Sequence, residues 1–274
     1  MTVLDVDRIG AGLDAITRTR LELLETFDEI DSTNSYLMQQ AQPQPGSSRV
    51  AATLNQTAGR GRYGKKWLSP PGSGLCLSIA YTFVHKPENL PALTLAIGLG
   101  VIKALQECGV DGVMLKWPND LVLQGGKLGG ILTEAHASST KAISLVTGIG
   151  VNIDVGAGFE HELGPERTLP VADLSVCAAE LPDRDRMTAH IVNATVSTLA
   201  EYEDSGFAPF FRRWPACDWL QGQDITVDVQ QRHLSGLAAG IDEEGALLLD
   251  SRTGERLRVT SGSVVAANRV GGTA

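Results

Sequence analysis

The chain has 274 residues, a formal net charge of −9, 43% hydrophobic and 20% charged residues, an ordinary globular composition with room for a large and a small domain. No run approaches the roughly 18 apolar residues of a membrane span, and the N-terminus lacks the basic and apolar regions of a secretory signal. The acidic balance argues against nucleic acid as the main partner. Four widely spaced cysteines without a C-x-x-C pair indicate reduced thiols of a cytoplasmic protein and argue against a zinc site.

The first half of the chain predicts helices and strands in alternation. Apolar residues near helical spacing predict one amphipathic helix over residues 6–24, and a short strand follows at 26–30. Asp31, Ser32 and Thr33 then stand where a helix N-cap belongs. Beyond this second helix, apolar runs predict a buried helix over 90–108 and strands over 49–56, 74–83 and 112–117.

The second half begins with a hairpin and ends in a series of short strands. Two apolar stretches flank residues 124–127, which is a hairpin pattern, and the next strand is expected at 141–153. Short β-type runs over 222–270, separated by Gly, Asp and Asn, are typical of a small barrel of about five strands. Between these parts we expect helices over 173–180, 184–204 and 206–214.

These patterns predict two domains. The first covers residues 1–220 and starts with a helix within residues 1–25, and the second is a small β-barrel over residues 221–274. The boundary lies where the helical pattern gives way to short strands.

A glycine-rich basic segment, "NQTAGRGRYGKKW" (55–67), runs against the acidic background of the chain. Its glycines permit tight turns with inward-facing backbone N–H groups, and its cations supply positive charge, so the segment suits a phosphate or a carboxylate. A solvated surface loop is the ordinary alternative for a basic cluster. The segment is not a P-loop, because G-x-x-x-x-G-K-[ST] is absent.

Four further motifs place polar residues at the ends of predicted elements: "DSTN" (31–34), "KWPND" (116–120), "KLGGIL" (127–132) and "GIGVN" (148–152). Strand ends and helix N-termini are common ligand sites. Each motif also has a structural interpretation: a capped helix start, a turn, a solvent-facing hairpin lysine and closely packed strands.

In order and spacing, the five motifs resemble the biotin protein ligases, also called biotin–[acetyl-CoA-carboxylase] ligases. The resemblance runs from about Phe27 to the end of the chain, and it implies a class II synthetase-like α+β fold. This fold has a mixed β-sheet with helices packed on it and a small C-terminal SH3-like barrel. One departure is Lys65, where the family usually has arginine, whose planar fork can bind two phosphate oxygens.

The resemblance also implies an activity. Such enzymes activate biotin with ATP to give biotinyl-5′-AMP and pyrophosphate, and then transfer biotin to a lysine of a biotin carboxyl carrier domain. Mg²⁺ is expected on the substrate phosphates, without a metal site built by the protein. The glycine-rich segment is expected to close over the adenylate and shield it from water.

Carried over position by position, the resemblance implies roles for individual residues. Arg60, Arg62 and Lys127 would act in catalysis by neutralising the carboxylate and the phosphate that meet. Biotin would be bound by Ser32, Thr33, Asn34, Gln56, Arg60, Gly61, Arg62 and Lys127. ATP and the adenylate would be bound by Arg62, Lys65, Trp67, Asn119, Asp120 and Asn152. Asp120 would contact either the ribose–phosphate region or the incoming carrier lysine.

Three alternatives stay open at this level. A lipoate or octanoate ligase or transferase has a similar fold without the complete motif set, and a non-catalytic biotin or nucleotide sensor would keep the binding residues. DNA binding by the basic segment would be salt-sensitive, and the net acidity argues against it. Only 26 residues precede Phe27, fewer than the winged-helix domain of repressor-type relatives needs, so we expect a monofunctional ligase.

Overall fold

The computed structural model describes residues 3–136, 142–156, 158–159, 168–177 and 180–269. A seven-stranded sheet in the order β1-β2-β3-β7-β6-β5-β4 forms its larger part. β1 and β2 run parallel and the other neighbours are antiparallel, so the sheet is mixed, as predicted. Its strands are β1 (Leu21–Phe27), β2 (Ser48–Thr53), β3 (Gly74–Thr82), β4 (Met114–Lys116), β5 (Asp120–Leu123), β6 (Gly126–His136) and β7 (Ser144–Asn152).

Helices cover both faces of this sheet. Because successive strand residues point to opposite faces, β2 and β3 contribute to two cores. Ala51 and Ala80 pack with Leu37 on one face, whereas Ala52 and Ile79 belong to the main core, where the two long helices α4 and α5 pack together. The helices are α1 (Val6–Ala11), α2 (Ala15–Arg20), α3 (Thr33–Gln39), α4 (Leu93–Glu107), α5 (Arg184–Ser205) and α6 (Ala208–Arg213).

The prediction of one N-terminal helix, within residues 1–25 and over residues 6–24, is wrong. α1 ends before Gly12, and the Asp14 carboxylate then accepts a hydrogen bond from the Thr17 backbone N–H and caps the separate helix α2. The strand expected at 26–30 is shifted: β1 starts at Leu21 and ends at Phe27, so residues 28–30 lie outside it and Ile30 forms only an isolated bridge with Gln56. Apolar residues at 23 and 24 are therefore strand residues, drawn into pairing with β2.

Most other elements confirm their predictions. The Ser32 hydroxyl accepts from the Ser35 N–H at 3.3 Å and starts α3, and the buried helix α4 lies within 90–108. The β5–β6 hairpin turns at Gln124 and Gly125, whose φ angles of 48° and 80° are those of a tight hairpin turn. The helix expected over 173–180 is wrong in its described part, where only a 3-10 turn over Leu174–Val176 forms; residues 178–179 lie outside the described residues.

The C-terminal part is a five-stranded antiparallel sheet in the order β11-β10-β9-β8-β12. This confirms the predicted small all-β unit and is consistent with an SH3-like fold. The Trp117 indole donates to the Gly245 carbonyl at 3.1 Å, and the Asn89 amide donates to the Glu244 carbonyl at 2.7 Å, so the two sheets are fastened together. The strands are β8 (Gln223–Val229), β9 (Arg232–Ile241), β10 (Leu247–Asp250), β11 (Arg256–Val259) and β12 (Ser263–Arg269).

The domain boundary at residues 220 and 221 stays a proposal, with β8 beginning at Gln223. Among the described residues, no helix is long and apolar enough to cross a membrane.

Truncation of a core side chain in β3 should destabilise the larger sheet. Ile79 is fully buried in β3, so Ile79→Ala should lower the free energy of unfolding by about 2–5 kcal/mol, through lost burial and the cavity left behind. Urea denaturation followed by far-UV circular dichroism measures this change. Ile16→Ala is the control, because Ile16 is 53% exposed and should change the midpoint little. Equal midpoints for both variants would contradict the assigned core.

Candidate active site

All of the residues predicted from the sequence line one cavity, whose volume is about 710 Å³. The cavity lies between β3, β6 and β7 on one side and the basic segment and β12 on the other. The predicted residues in its wall are Ser32, Thr33, Asn34, Gln56, Arg60, Gly61, Arg62, Lys65, Trp67, Asn119, Asp120, Lys127 and Asn152. Motifs that are distant in sequence therefore meet in space, and their individual roles remain to be assigned.

One end of the cavity is a buried chain of neutral polar groups. The Ser78 hydroxyl donates to Asn34 Oδ1 at 2.6 Å, and the Thr33 and Ser78 hydroxyl oxygens are 2.6 Å apart. Ser78 has a single proton, so the short Thr33–Ser78 contact uses the Thr33 proton, for which Gln56 Oε1 at 3.1 Å is the other acceptor. Gln56 Oε1 in turn accepts from the Thr33 backbone N–H at 2.8 Å. The chain leaves acceptor lone pairs on the hydroxyls, which suits a neutral ligand with N–H donors.

The basic segment forms a tight hairpin beside this end. The Gly61 N–H donates to the Lys65 carbonyl at 2.7 Å, and the Trp67 N–H donates to the Gly59 carbonyl at 3.0 Å. Tyr63 and Gly64 turn the chain with positive φ angles of 56° and 73°. A side chain at Gly59 would collide with the Trp67 backbone, which explains a glycine there.

Two arginines of the hairpin are tied to the cavity wall. Arg60 forms an ion pair with Glu134 of β6 at 2.7 Å. Arg62 donates to Asn119 Oδ1 at 3.2 Å and to the Gly262 carbonyl at 3.3 Å, so it bridges the larger sheet and the C-terminal part. These contacts hold both guanidinium groups at the cavity.

A second cationic centre lies deeper. Asp120 Oδ1 is 2.6 Å from Lys127 Nζ, and its Oδ2 is 3.6 Å from Lys116 Nζ. Burial by itself raises the pKa of Asp120, but the charges of the two lysines outweigh burial and hold that pKa below its usual range. Burial lowers the pKa of the Lys116 ammonium, and Asp120 opposes this change only in part. An ionised carboxylate thus keeps two amines close together.

Three glycines, here called the glycine wall, lie along one side of the cavity. Gly130 of β6 pairs with Gly150 of β7, and Gly148 lies two residues earlier on the same strand. A Cβ atom at Gly150 would lie 2.6 Å from Trp67 Cε2, and one at Gly148 would collide with the Asn34 amide. Residues 148 and 150 must therefore lack a side chain, so that the Asn34 amide and the Trp67 indole can approach the backbone of β7.

Asn119 and Asn152 have structural contacts as well as a place in the cavity. The Asn119 amide donates to the Ile131 carbonyl at 2.9 Å, and the Asn152 amide donates to the Ala172 carbonyl at 3.0 Å. Both side chains therefore fix neighbouring backbone segments. Their predicted contact with a nucleotide base remains a proposal.

The cavity is strongly positive although the chain is acidic. Among its described lining residues, Asp120 is the carboxylate that opposes six cations, which are Arg60, Arg62, Lys65, Lys66, Lys116 and Lys127. A cleft of one sign raises the local concentration of oppositely charged ligands. The arrangement is therefore able to bind two anionic groups side by side and to neutralise charge as they react.

Several lining or supporting residues were not assigned from the sequence. Lys116 stands inside the quoted motif KWPND, but nothing in that pattern indicates that its amine is buried. Ser78 and Glu134 lie within strands, where polar residues at alternate positions read as solvent-facing. The segment 263–265 reaches the cavity only through the packing of β12, which no local pattern reveals.

Comparisons with known proteins agree with this geometry. Residues 26–152 match the biotin/lipoate A/B protein ligase family, and residues 221–266 match the biotin protein ligase C terminal domain. The bifunctional ligase/repressor BirA of Escherichia coli (strain K12) is 34% identical over 222 residues, which cover 81% of this chain and 67% of that protein. The biotin–[acetyl-CoA-carboxylase] ligase of Paracoccus denitrificans is 32% identical over 233 residues, with coverages of 83% and 94%.

A solved structure is also similar over most of its length. The biotin protein ligase from Aquifex aeolicus in complex with biotin and ATP matches with a TM-score of 0.72 and 28% sequence identity. The match covers 89% of this chain and 97% of that chain. Both parts of the fold are thus similar to one architecture.

The glycine wall gives a test of the cavity geometry. Gly148→Ala should force the Asn34 amide away from Ser78 and lower the free energy of unfolding by about 1–3 kcal/mol, because buried polar groups lose their partners. Urea denaturation measures the loss. Gly10→Ala in α1 is a matched control, since a Cβ there meets nothing within 4 Å and should be neutral or slightly stabilising. Indistinguishable unfolding curves would contradict the close approach of Asn34.

Proposed function

The chain belongs to the biotin protein ligase family, and we infer that it activates biotin with ATP to biotinyl-5′-AMP, releases pyrophosphate and then biotinylates a protein lysine. The observation that carries this inference is a neutral polar pocket adjoining a dense group of cations in one cavity. Biotin has the same division, with a neutral ring system at one end and a carboxylate at the other. The acceptor protein is a biotin carboxyl carrier domain of a biotin-dependent carboxylase.

We assign the ring system of biotin to the polar end. Thr33, Asn34 and Gln56 supply the polar atoms there, and Ser32 holds this segment at the start of α3. Hydroxyl lone pairs oriented as described can accept from the N–H groups of a cyclic urea. The carboxylate would then extend toward the hairpin cations.

The first chemical step places two anions in contact. An oxygen of the biotin carboxylate attacks the α-phosphorus of ATP, a new O–P bond forms, and the bond to the leaving pyrophosphate breaks. We propose that Arg60, Arg62 and Lys127 neutralise the charge shared by the carboxylate and the phosphates, with the backbone of Gly61 beside them. Fixed donors in such a site lower the barrier because they need no reorganisation during the reaction.

We place the adenylate along the glycine wall. Trp67 presents a flat aromatic surface to the adenine, and Asn119 and Asn152 lie near the same region. Lys65 would contact a phosphate as a single point charge, since an ammonium cannot grip two oxygens as arginine does. Asp120 would contact the ribose–phosphate region or the incoming carrier lysine.

In the second step the neutral amine of the carrier lysine attacks the acyl carbon of the mixed anhydride. The C–N bond of the amide forms, the bond between the acyl carbon and the phosphate oxygen breaks, AMP leaves, and the proton of the amine passes to solvent. Asp120 is ionised, so if it contacts the incoming lysine, it could accept a hydrogen bond from the neutral amine and orient it toward the acyl carbon. The hairpin would keep water from the anhydride until the carrier arrives.

We propose that Mg²⁺ arrives with ATP. Among the described residues, no group of three or more His, Cys, Asp or Glu side chains could hold a metal ion. The Asp120 carboxylate, which lines the cavity, is occupied by two lysines. Triphosphate oxygens and water therefore suit Mg²⁺ better than protein ligands do.

Acid specificity is the direct test of the function. The protein is mixed with ATP, Mg²⁺ and either biotin or octanoate, and acyl-AMP is followed by mass spectrometry together with pyrophosphate release. We expect biotinyl-AMP only, because the polar end suits a ring with N–H groups, and we expect EDTA to stop the reaction. Octanoyl-AMP would move the protein to the lipoate branch, and no adenylate from either acid would favour a sensor.

The charge of Lys127 should matter for the chemical step. Lys127→Ala should slow pyrophosphate release by about 10²–10³-fold, the usual effect of removing one donor to developing charge. The measurement is a single-turnover assay at saturating biotin and ATP. Lys103→Ala is the control, because Lys103 is an exposed lysine of α4 whose side chain is 75% exposed. A rate within a few-fold of wild type for Lys127→Ala would remove it from the catalytic set.

A further inference from the structure

Glu134 joins the two halves of the cavity through one carboxylate. It lies on β6, and its Oε2 accepts from Asn34 Nδ2 at 2.9 Å, while its Oε1 accepts from Arg60 at 2.7 Å. Asn34 belongs to the polar end, and Arg60 belongs to the hairpin. No motif in the sequence includes Glu134, and the proposed reaction assigns it no contact with a substrate.

The carboxylate fixes the orientation of the Asn34 amide. An ionised carboxylate only accepts hydrogen bonds, and the Leu132 carbonyl, 3.4 Å from Asn34 Nδ2, is a second acceptor on the same side. A flipped amide would turn its oxygen toward both acceptors. The amide nitrogen therefore faces Glu134, and the amide oxygen faces Ser78, as it must for the hydroxyl chain to run from Thr33 to Asn34.

The same carboxylate anchors the hairpin. The Arg60 side chain is 46% exposed and that of Glu134 is 23% exposed, so their ion pair contributes little to stability. It nevertheless fixes where the guanidinium stands relative to the polar end. Glu134 thus sets both the direction of the hydrogen bonds in the polar end of the cavity and the position of Arg60.

We propose that Glu134 is a positioning residue that couples the biotin ring pocket to the glycine-rich hairpin. The proposal rests on the proposed function, because it names the ring pocket as the site of biotin. Loss of the carboxylate releases Arg60 and lets the Asn34 amide turn, so hairpin mobility and biotin affinity change together. A residue with only a structural role would change neither of them specifically.

The first measurement is limited trypsin digestion of the ligand-free protein. Glu134→Gln has the same size, but Asn34 and Arg60 donate to different carboxylate oxygens, and in glutamine one of these two positions becomes an NH2 group that opposes a donor with a donor. Cleavage after Lys65 or Lys66, followed by mass spectrometry, should become about two- to fivefold faster, the change that a partly exposed ion pair supports. In an Arg60→Ala background, Glu134→Gln should add nothing to this rate, because the contact is already gone.

The second measurement is the biotin dissociation constant, obtained by calorimetry without ATP. Glu134→Gln should raise it about tenfold, because the ring pocket loses its fixed donor and acceptor order. The matched control is Glu22→Gln. Glu22 also binds an arginine and a backbone N–H, and its side chain is 24% exposed, but it lies on β1 away from the cavity. The control should leave both readouts unchanged.

Each outcome decides the proposal. A change in only one of the two readouts overturns the coupling, as does additive acceleration of cleavage in the Arg60→Ala background. Faster cleavage at sites throughout the chain means general destabilisation and overturns it as well. If the wild-type protein binds no biotin, the proposed function fails and this proposal falls with it; normal wild-type binding with an unaffected Glu134→Gln overturns this proposal alone.

Discussion

Repulsion among cations is the constraint on which the cavity depends. Six positive side chains line the cavity, and their mutual repulsion would favour positions in solvent if nothing held them. Two carboxylates provide that fixation, each by holding two donors: Asp120 binds Lys127 and Lys116, and Glu134 binds Arg60 and Asn34. Arg60, Lys116 and Lys127 are therefore held in place before any ligand arrives, and the anions that bind do not have to organise these three charges.

The fold supplies the positions at which these charges can meet. β6 carries both Lys127 and Glu134, seven residues apart on one long strand, and β5 places Asp120 beside it. The C-terminal sheet closes the remaining side, since Lys116 donates to the Val264 carbonyl at 3.2 Å and Arg62 reaches the Gly262 carbonyl. Both sheets thus contribute to one electrostatic unit.

The family, the mixed sheet and the residues of the cavity were predictable because their signals are local motifs. The division of the N-terminal segment into two helices and a strand was not predicted, because residues 21–27 pair with β2 and no periodicity in that segment reveals this pairing. Lys116 and Glu134 were not assigned to the site from the sequence, for a related reason. Glu134 contacts partners 74 and 100 residues away, and Lys116 contacts the Val264 carbonyl, 148 residues away, as well as the nearby Asp120; a local sequence pattern does not reveal such long-range contacts.

The glycine wall also limits the substitutions by which this cavity could become resistant to an inhibitor. Resistance commonly trims or exchanges a contacting side chain, but Gly130, Gly148 and Gly150 offer no side chain to trim. Any substitution at Gly148 or Gly150 adds atoms against Asn34 or Trp67 and so displaces a side chain that the proposed site uses. A compound held by Asn34 and Trp67 therefore leaves few substitutions at these two glycines that would spare the protein's own activity.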